Sequence, residues 1–174
     1  MFRSGSFVAE HVTPTTDEQV QPNGVDLTLE AVFRQRQPGR ITTDGKSVGA
    51  RYEQVNEPIG EPLSGEAGYE HEGDDEVDRE GYRLSPGYYV VRYAEVIGIP
   101  EGHVGFLYPR SSLLRNSCML NTAVWDAGYE GKGEGLLQVG HEIDIETGAR
   151  IAQLTLAEAE HTGEYDGDYQ GENI

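Results

Sequence analysis

The sequence predicts an all-β domain, and three observations carry that expectation. Runs rich in β-branched and aromatic residues recur along the chain. Gly, Pro, Asn and Asp separate them roughly every eight to twelve positions, the spacing of a β-sandwich or barrel. Only residues 111–116 look able to form a helical turn. At 174 residues the chain fits one domain over 1–174, long enough to bury a real core.

The elements follow in order. Residues 26–33 (Asp26-Leu27-Thr28-Leu29-Glu30-Ala31-Val32-Phe33) alternate apolar and polar, the period of a half-buried strand, after the turn Gln21-Pro22-Asn23-Gly24. From 34 to about 62 the pattern weakens into short strands and loops. An exposed acidic loop is expected near 66–80, and His71 within it reads as part of a solvated charge run rather than a metal ligand. Residues 88–100 are strand formers, and 104–108 lead into Pro109-Arg110-Ser111-Ser112-Leu113. Residues 119–125, 136–139 and 151–156 are further strands. The end near 161–174 is polar and Gly-rich with no core of its own: a mobile tail, idle or closing over a ligand.

Composition excludes several functions. Asp and Glu outnumber Lys and Arg by 31 to 13, for a net charge of -18, and Lys46 and Lys132 are the only lysines. Such a field repels nucleic acid. It suits a high-salt cytoplasm, where a screening length of roughly 3 Å at molar ionic strength relieves self-repulsion and leaves recognition of an anion to local donors. No apolar run reaches the length of a membrane span, and the N-terminus lacks a signal-peptide stretch, so a soluble cytoplasmic protein is expected. The single Cys118 reads as a small core filler.

Two motifs concentrate the chemistry. Arg110 offers a planar fork of donors, and Ser111 and Ser112 add hydroxyls, a set that suits phosphate; the plainer reading is a salt-bridged arginine at a strand end with a serine cap. In Asp126-Ala127-Gly128-Tyr129-Glu130-Gly131 a carboxylate precedes an aromatic ring between glycines. Asp126 can orient a water and take its proton, Tyr129 can lie against a sugar, and Gly128 and Gly131 let backbone approach a base; an ordinary hairpin turn has the same composition. Gln153, in Arg150-Ile151-Ala152-Gln153-Leu154, can bond a phosphate or face solvent, sharing a strand face with Ile151. Tyr165 and Gln170 in the tail carry the same ambiguity.

Taken in order, PNGVDL, PRSSL, WDAGYEG, RIAQL and a tail ending DYQG resemble the dUTPase and dCTP deaminase superfamily, most of all its archaeal dUTP diphosphatase branch. The resemblance covers most of the chain and leaves 34–80 unmatched. It implies a distorted jelly-roll barrel of the dUTPase type, assembled as a homotrimer with active sites shared between subunits. Charge and hydropathy speak for no nucleic-acid and no membrane partner, and the resemblance implies a deoxynucleoside triphosphate substrate and Mg²⁺ bound mainly through the substrate phosphates rather than by a protein cage. Arg110, Ser111 and Ser112 would hold phosphates, and Asp26 would be a structural carboxylate. Tyr129 and Gly131 would receive the nucleoside, and Asp126 the attacking water. Gln153, Tyr165 and Gln170 would close on the triphosphate.

Two reactions stay open within the resemblance. Hydrolysis of dUTP to dUMP and diphosphate limits uracil in DNA and supplies dUMP for thymidylate synthesis. Deamination of dCTP, alone or combined with hydrolysis, needs a glutamate on the strand after the hairpin. That strand carries Gln138, which cannot accept a proton and so favours hydrolysis, while Glu134 and the deaminase-like spacing of Arg115 keep deamination in play. A non-catalytic deoxynucleotide-binding module is the third reading, and the retained Asp126 argues against it.

Overall fold

The computed structural model describes residues 1–59 and 79–174. A short helix, α1 (Gly5–Ala9), opens the chain, with the Ser4 side chain accepting from the Phe7 amide as its cap. The strands that position the site are β1 (Gly24–Gln35), β2 (Gly87–Tyr93), β3 (Val96–Gly98), β4 (His103–Pro109), β5 (Cys118–Asn121), β6 (Glu130–Gly131), β7 (Glu134–Val139) and β8 (Arg150–Glu158). One helical turn, α2 (Ser111–Arg115), joins β4 to β5.

The main sheet runs in the order β4–β8–β1–β2–β7–β5, every neighbour antiparallel. Its two ends, β4 and β5, are consecutive in sequence. Beyond β5 the chain returns to β4, where the Gly105 amide donates to the Trp125 carbonyl at 2.8 Å and the Thr122 hydroxyl to the Leu107 carbonyl at 3.2 Å. The sheet therefore curls into a nearly closed barrel, as the all-β expectation requires. Leu27, Leu29, Val91, Leu137, Leu154 and Leu156 fill its interior, none more than 1% exposed.

Burial revises some of the sequence reading. β1 is central, so from Val25 to Phe33 only Thr28 and Glu30 escape full burial and the strand is not half-exposed. The run at 88–100 breaks into β2 and β3 at Glu95, a buried carboxylate. It accepts from the Thr28 hydroxyl at 2.7 Å, the Thr28 amide at 3.0 Å and the Gln19 side chain at 2.7 Å, so its burial is compensated. Residues 119–125 form a strand only as far as Asn121. A register shift in β8 between Arg150 and Ala152 leaves Ile151 and Ala152 both buried, so Ile151 and the partly exposed Gln153 do not share one face as simple alternation predicts.

The strand alternation of β7 matters most for function. Gly135, Leu137 and Val139 point inward, whereas Glu134, Leu136 and Gln138 lie on the outward face. The expected acidic loop at 66–80 lies outside the described residues as far as 78, and Glu80 opens a strand, Glu80–Leu84, paired with Ile143–Glu146.

Candidate functional site

The first motif forms a cationic corner tied to the sheet. The Arg110 amide donates to the Ile151 carbonyl of β8 at 3.0 Å, fixing the backbone where α2 begins. The Arg110 side chain places Nη1 2.9 Å from Oδ2 of Asp26, and Arg150 approaches the same oxygen at 3.5 Å. The Asp26 side chain is only 3% exposed. Burial pushes its carboxyl above the usual range, against the pull of Arg110 and Arg150. Ser111 and Ser112 are exposed at the start of α2, and Arg115 donates to the Ser111 hydroxyl at 3.1 Å. Gln153, partly exposed, stands in register with Asp26 on one side and Tyr108 on the other.

The second motif borders a cavity of about 660 Å³. Asp126, Tyr129, Glu134, Arg51 and the tail residues Tyr165, Tyr169 and Glu172 supply its polar wall; Trp125, Leu136, Val90 and Val124 supply apolar surface. Asp126 is exposed, at a turn whose next glycine, Gly128, sits at φ +87°, where a side chain would be strained. The Tyr129 ring meets Trp125 edge-on at 5.0 Å and Tyr165 at 5.6 Å. Its hydroxyl donates to Glu172 at 3.0 Å, and burial pushes the phenol well above its ordinary pKa. At Gly131 an added Cβ would come within 2.7 Å of the Tyr129 hydroxyl and 3.2 Å of the Glu172 backbone, so this position closes the hairpin against the tail.

The tail is docked rather than loose. The Tyr165 amide donates to the Ala127 carbonyl at 2.7 Å, Gly171 to Glu130 at 2.8 Å, and Lys132 to Glu172 at 3.0 Å. The Gln170 side chain brackets the hairpin, accepting from the Glu130 amide at 3.2 Å and donating to the Gly128 carbonyl at 3.0 Å. Here Gln170 is committed to backbone, and Tyr165 and Glu172 roof the cavity.

The structure thus gathers Asp126, Tyr129, Glu134 and Tyr165 around one space. Arg110, Ser111, Ser112, Arg115 and Gln153 do not line it. Gln138 also lies outside, in register with Met119 and Tyr88 on the outward face of β7. Glu134 is held on both oxygens by Arg51, at 2.6 Å each, and approached by Arg92 at 3.4 Å. The network continues through Arg92 to Glu30 at 3.9 Å and from Glu30 to Lys132. Sequence reasoning missed Arg51, Glu172 and this network. Arg51 lies in the weakly patterned segment 83 positions from its partner, and no local periodicity signals such a pair.

Among the described residues no group of three or more His, Cys, Asp or Glu side chains is arranged to hold a metal ion. The donors of the cationic corner suit the oxygens of an anion such as phosphate.

Comparison with known proteins follows the same lines. A family model described as dCTP deaminase-like matches residues 6–159. A protein of Halobacterium salinarum named probable deoxyuridine 5'-triphosphate nucleotidohydrolase is 54% identical over 172 residues, covering 99% of this chain and 95% of its own. Proteins of Aeropyrum pernix, named as probably the same, and of Methanocaldococcus jannaschii, named deoxyuridine 5'-triphosphate nucleotidohydrolase, are 42% and 36% identical. These alignments cover 89% of this chain in both cases, and 87% and 89% of the respective relatives. Among solved structures, the 2'-deoxycytidine 5'-triphosphate deaminase of Agrobacterium tumefaciens superposes with a TM-score of 0.59 at 16% identity. That superposition covers 91% of this chain and 48% of the other, a likeness of fold.

Proposed function

The chain belongs to the dCTP deaminase-like family, and from that premise we propose that it is a dUTP diphosphatase, converting dUTP and water to dUMP and diphosphate. The near full-length identity to proteins bearing that name supports the reading. The observation that carries it is Asp126, an exposed carboxylate on the rim of a cavity large enough for a nucleotide, whose walls are largely apolar and aromatic.

In this reading Asp126 orients a water and accepts its proton as the water attacks the α-phosphorus; the bond to the bridging oxygen breaks and diphosphate leaves. Tyr129 and Gly131 bound the deoxyribose and base. Arg110, Ser111 and Ser112 grip the phosphates, with Arg115 and Gln153 beside them, and Tyr165 and Gln170 act from the tail. Mg²⁺ arriving on the triphosphate offsets its negative charge. Because the phosphate donors do not line the Asp126 cavity of the same chain, a complete site calls for a second copy, which supports a homotrimer with shared sites. The net charge of -18 supports work in a salt-rich cytoplasm.

Glu134, with both oxygens given to Arg51, is poorly placed to shuttle protons, which favours hydrolysis over deamination. A product assay with dUTP and dCTP side by side, with and without Mg²⁺, tests the reading. Asp126→Asn should lower turnover by roughly 10²–10⁴-fold while nucleotide binding is kept. Full activity in that variant, or ammonia released from dCTP, sinks the assignment. Light scattering at high salt reads the trimer by mass.

A further inference from the structure

We infer that Arg51, held in place by Glu134, is a specificity-determining residue that selects a pyrimidine bearing a carbonyl at C4 over one bearing an amino group. The inference rests on the dUTP reading of the cavity and goes beyond it by assigning the selection to one guanidinium.

The geometry is that of a rigid donor. Arg51 comes from the strand Arg51–Glu53, which pairs with the end of β1. Its guanidinium lies 4.8 Å from the centre of the Phe33 ring and meets both oxygens of Glu134 at 2.6 Å. A ring on one face and a fork at the tip leave little rotational freedom. Of the five N–H donors of a guanidinium, two are spent on Glu134, and the residue still borders the cavity.

Arginine has no acceptor to offer. The 4-carbonyl of uracil can accept one of its remaining N–H groups, whereas the 4-amino group of cytosine would set donor against donor. Glu134 is then a positioning residue: its carboxylate keeps the guanidinium aimed. This also accounts for a glutamate on β7 that has no free oxygen for proton transfer.

Equilibrium binding of dUMP and dCMP, measured by calorimetry, tests the selection without requiring turnover. The wild type should prefer dUMP, and Arg51→Met should weaken dUMP by roughly 10- to 100-fold while leaving dCMP unchanged or tighter. Arg51→Lys keeps charge and stem but loses the fork, so it should fall between the two and guards against misfolding of the Met variant. Glu134→Gln should behave as Arg51→Lys does, raising KM for dUTP with kcat within a few-fold, and the Arg51→Met/Glu134→Gln double variant should match Arg51→Met alone. An unchanged dUMP-to-dCMP ratio in both Arg51 variants overturns the inference. So does a wild type that prefers dCMP, or a Glu134→Gln variant that loses kcat at constant KM. A wild type that selects dUMP as described but releases no diphosphate from dUTP instead defeats the hydrolase reading and leaves the role of Arg51 standing.

Discussion

The cationic corner and the aromatic cavity, the two halves of the proposed site, are built in opposite ways. The corner hangs on the barrel: Asp26 sits on the central strand, its side chain 3% exposed, and the Arg110 backbone is bonded to β8. The cavity takes one wall from the barrel and the other from Val48 and Arg51, at the strand that pairs with the end of β1, and from the tail at 163–174. Contacts between those segments are peripheral. Lys46 reaches Asp168 at 3.2 Å with side chains 47% and 73% exposed, and the tail is otherwise bonded to the hairpin, through its backbone and the Tyr129 hydroxyl. Segments with few buried contacts open at low free-energy cost. In the proposed site the cationic corner is therefore the preformed half, and the cavity is the half whose outer wall is held by few buried contacts.

The largest expected effect attacks the preformed half. Asp26→Asn removes the buried counter-ion of Arg110 and Arg150. Losing the bonds between a buried carboxylate and two guanidiniums that are themselves about a third exposed costs about 1.5–3 kcal/mol, a fall in Tm of roughly 3–12 °C for a chain of this size. Calorimetric unfolding reads it, and affinity for inorganic diphosphate should drop together with stability. An Asp26→Asn variant as stable as the wild type would show that the corner is not anchored through this carboxylate.

Removing residues 163–174 tests the other half and should produce the reverse pattern. The tail buries no part of the main core apart from the packing of Tyr165, so Tm should move by less than about 3 °C. KM for dUTP should rise at least roughly tenfold, since Tyr165, Tyr169 and Glu172 leave the cavity wall. A large loss of stability with unchanged KM would invert the comparison.

The same contrast explains what was legible in the sequence. Strand patterns around Leu27, Val91, Leu137 and Leu154 carry the barrel, because alternation and β-branched runs are local signals. The two motifs were legible as short strings of donors and turn residues. Glu134 was legible as a candidate, but Arg51 and its pairing with Glu134 were not, since that pairing depends on two distant strands meeting at the same depth. Glu95 was hidden for a similar reason: nothing beside it announces that Thr28 and Gln19 will satisfy it. Helix α1 spans only five residues, too few for a 3.6-residue period to declare itself. The tail reads as polar and unstructured because its partners are hairpin carbonyls and amides, which every sequence possesses.

The smallest expected effect concerns how that tail is held. Glu172 accepts from the Tyr129 hydroxyl, but burial, with Glu134 nearby, raises its carboxyl above the ordinary 4.5, against the pull of Tyr129, Arg51 and Arg92. A docked pKa above that of the released tail means that docking takes up a proton. Docking is therefore tightest below pH 4.5, weakens as the pH climbs through the raised value, and is level beyond it. Protection factors for the Lys132 and Gly171 amides, each bonded across the tail–hairpin seam, should fall over that window. Glu172→Gln, neutral at every pH, should flatten the profile near its low-pH level. Wild-type protection that stays constant from pH 4 to pH 8 would mean that Glu172 does not govern the closure, leaving the backbone bonds and the Gln170 bracket to hold the cavity shut.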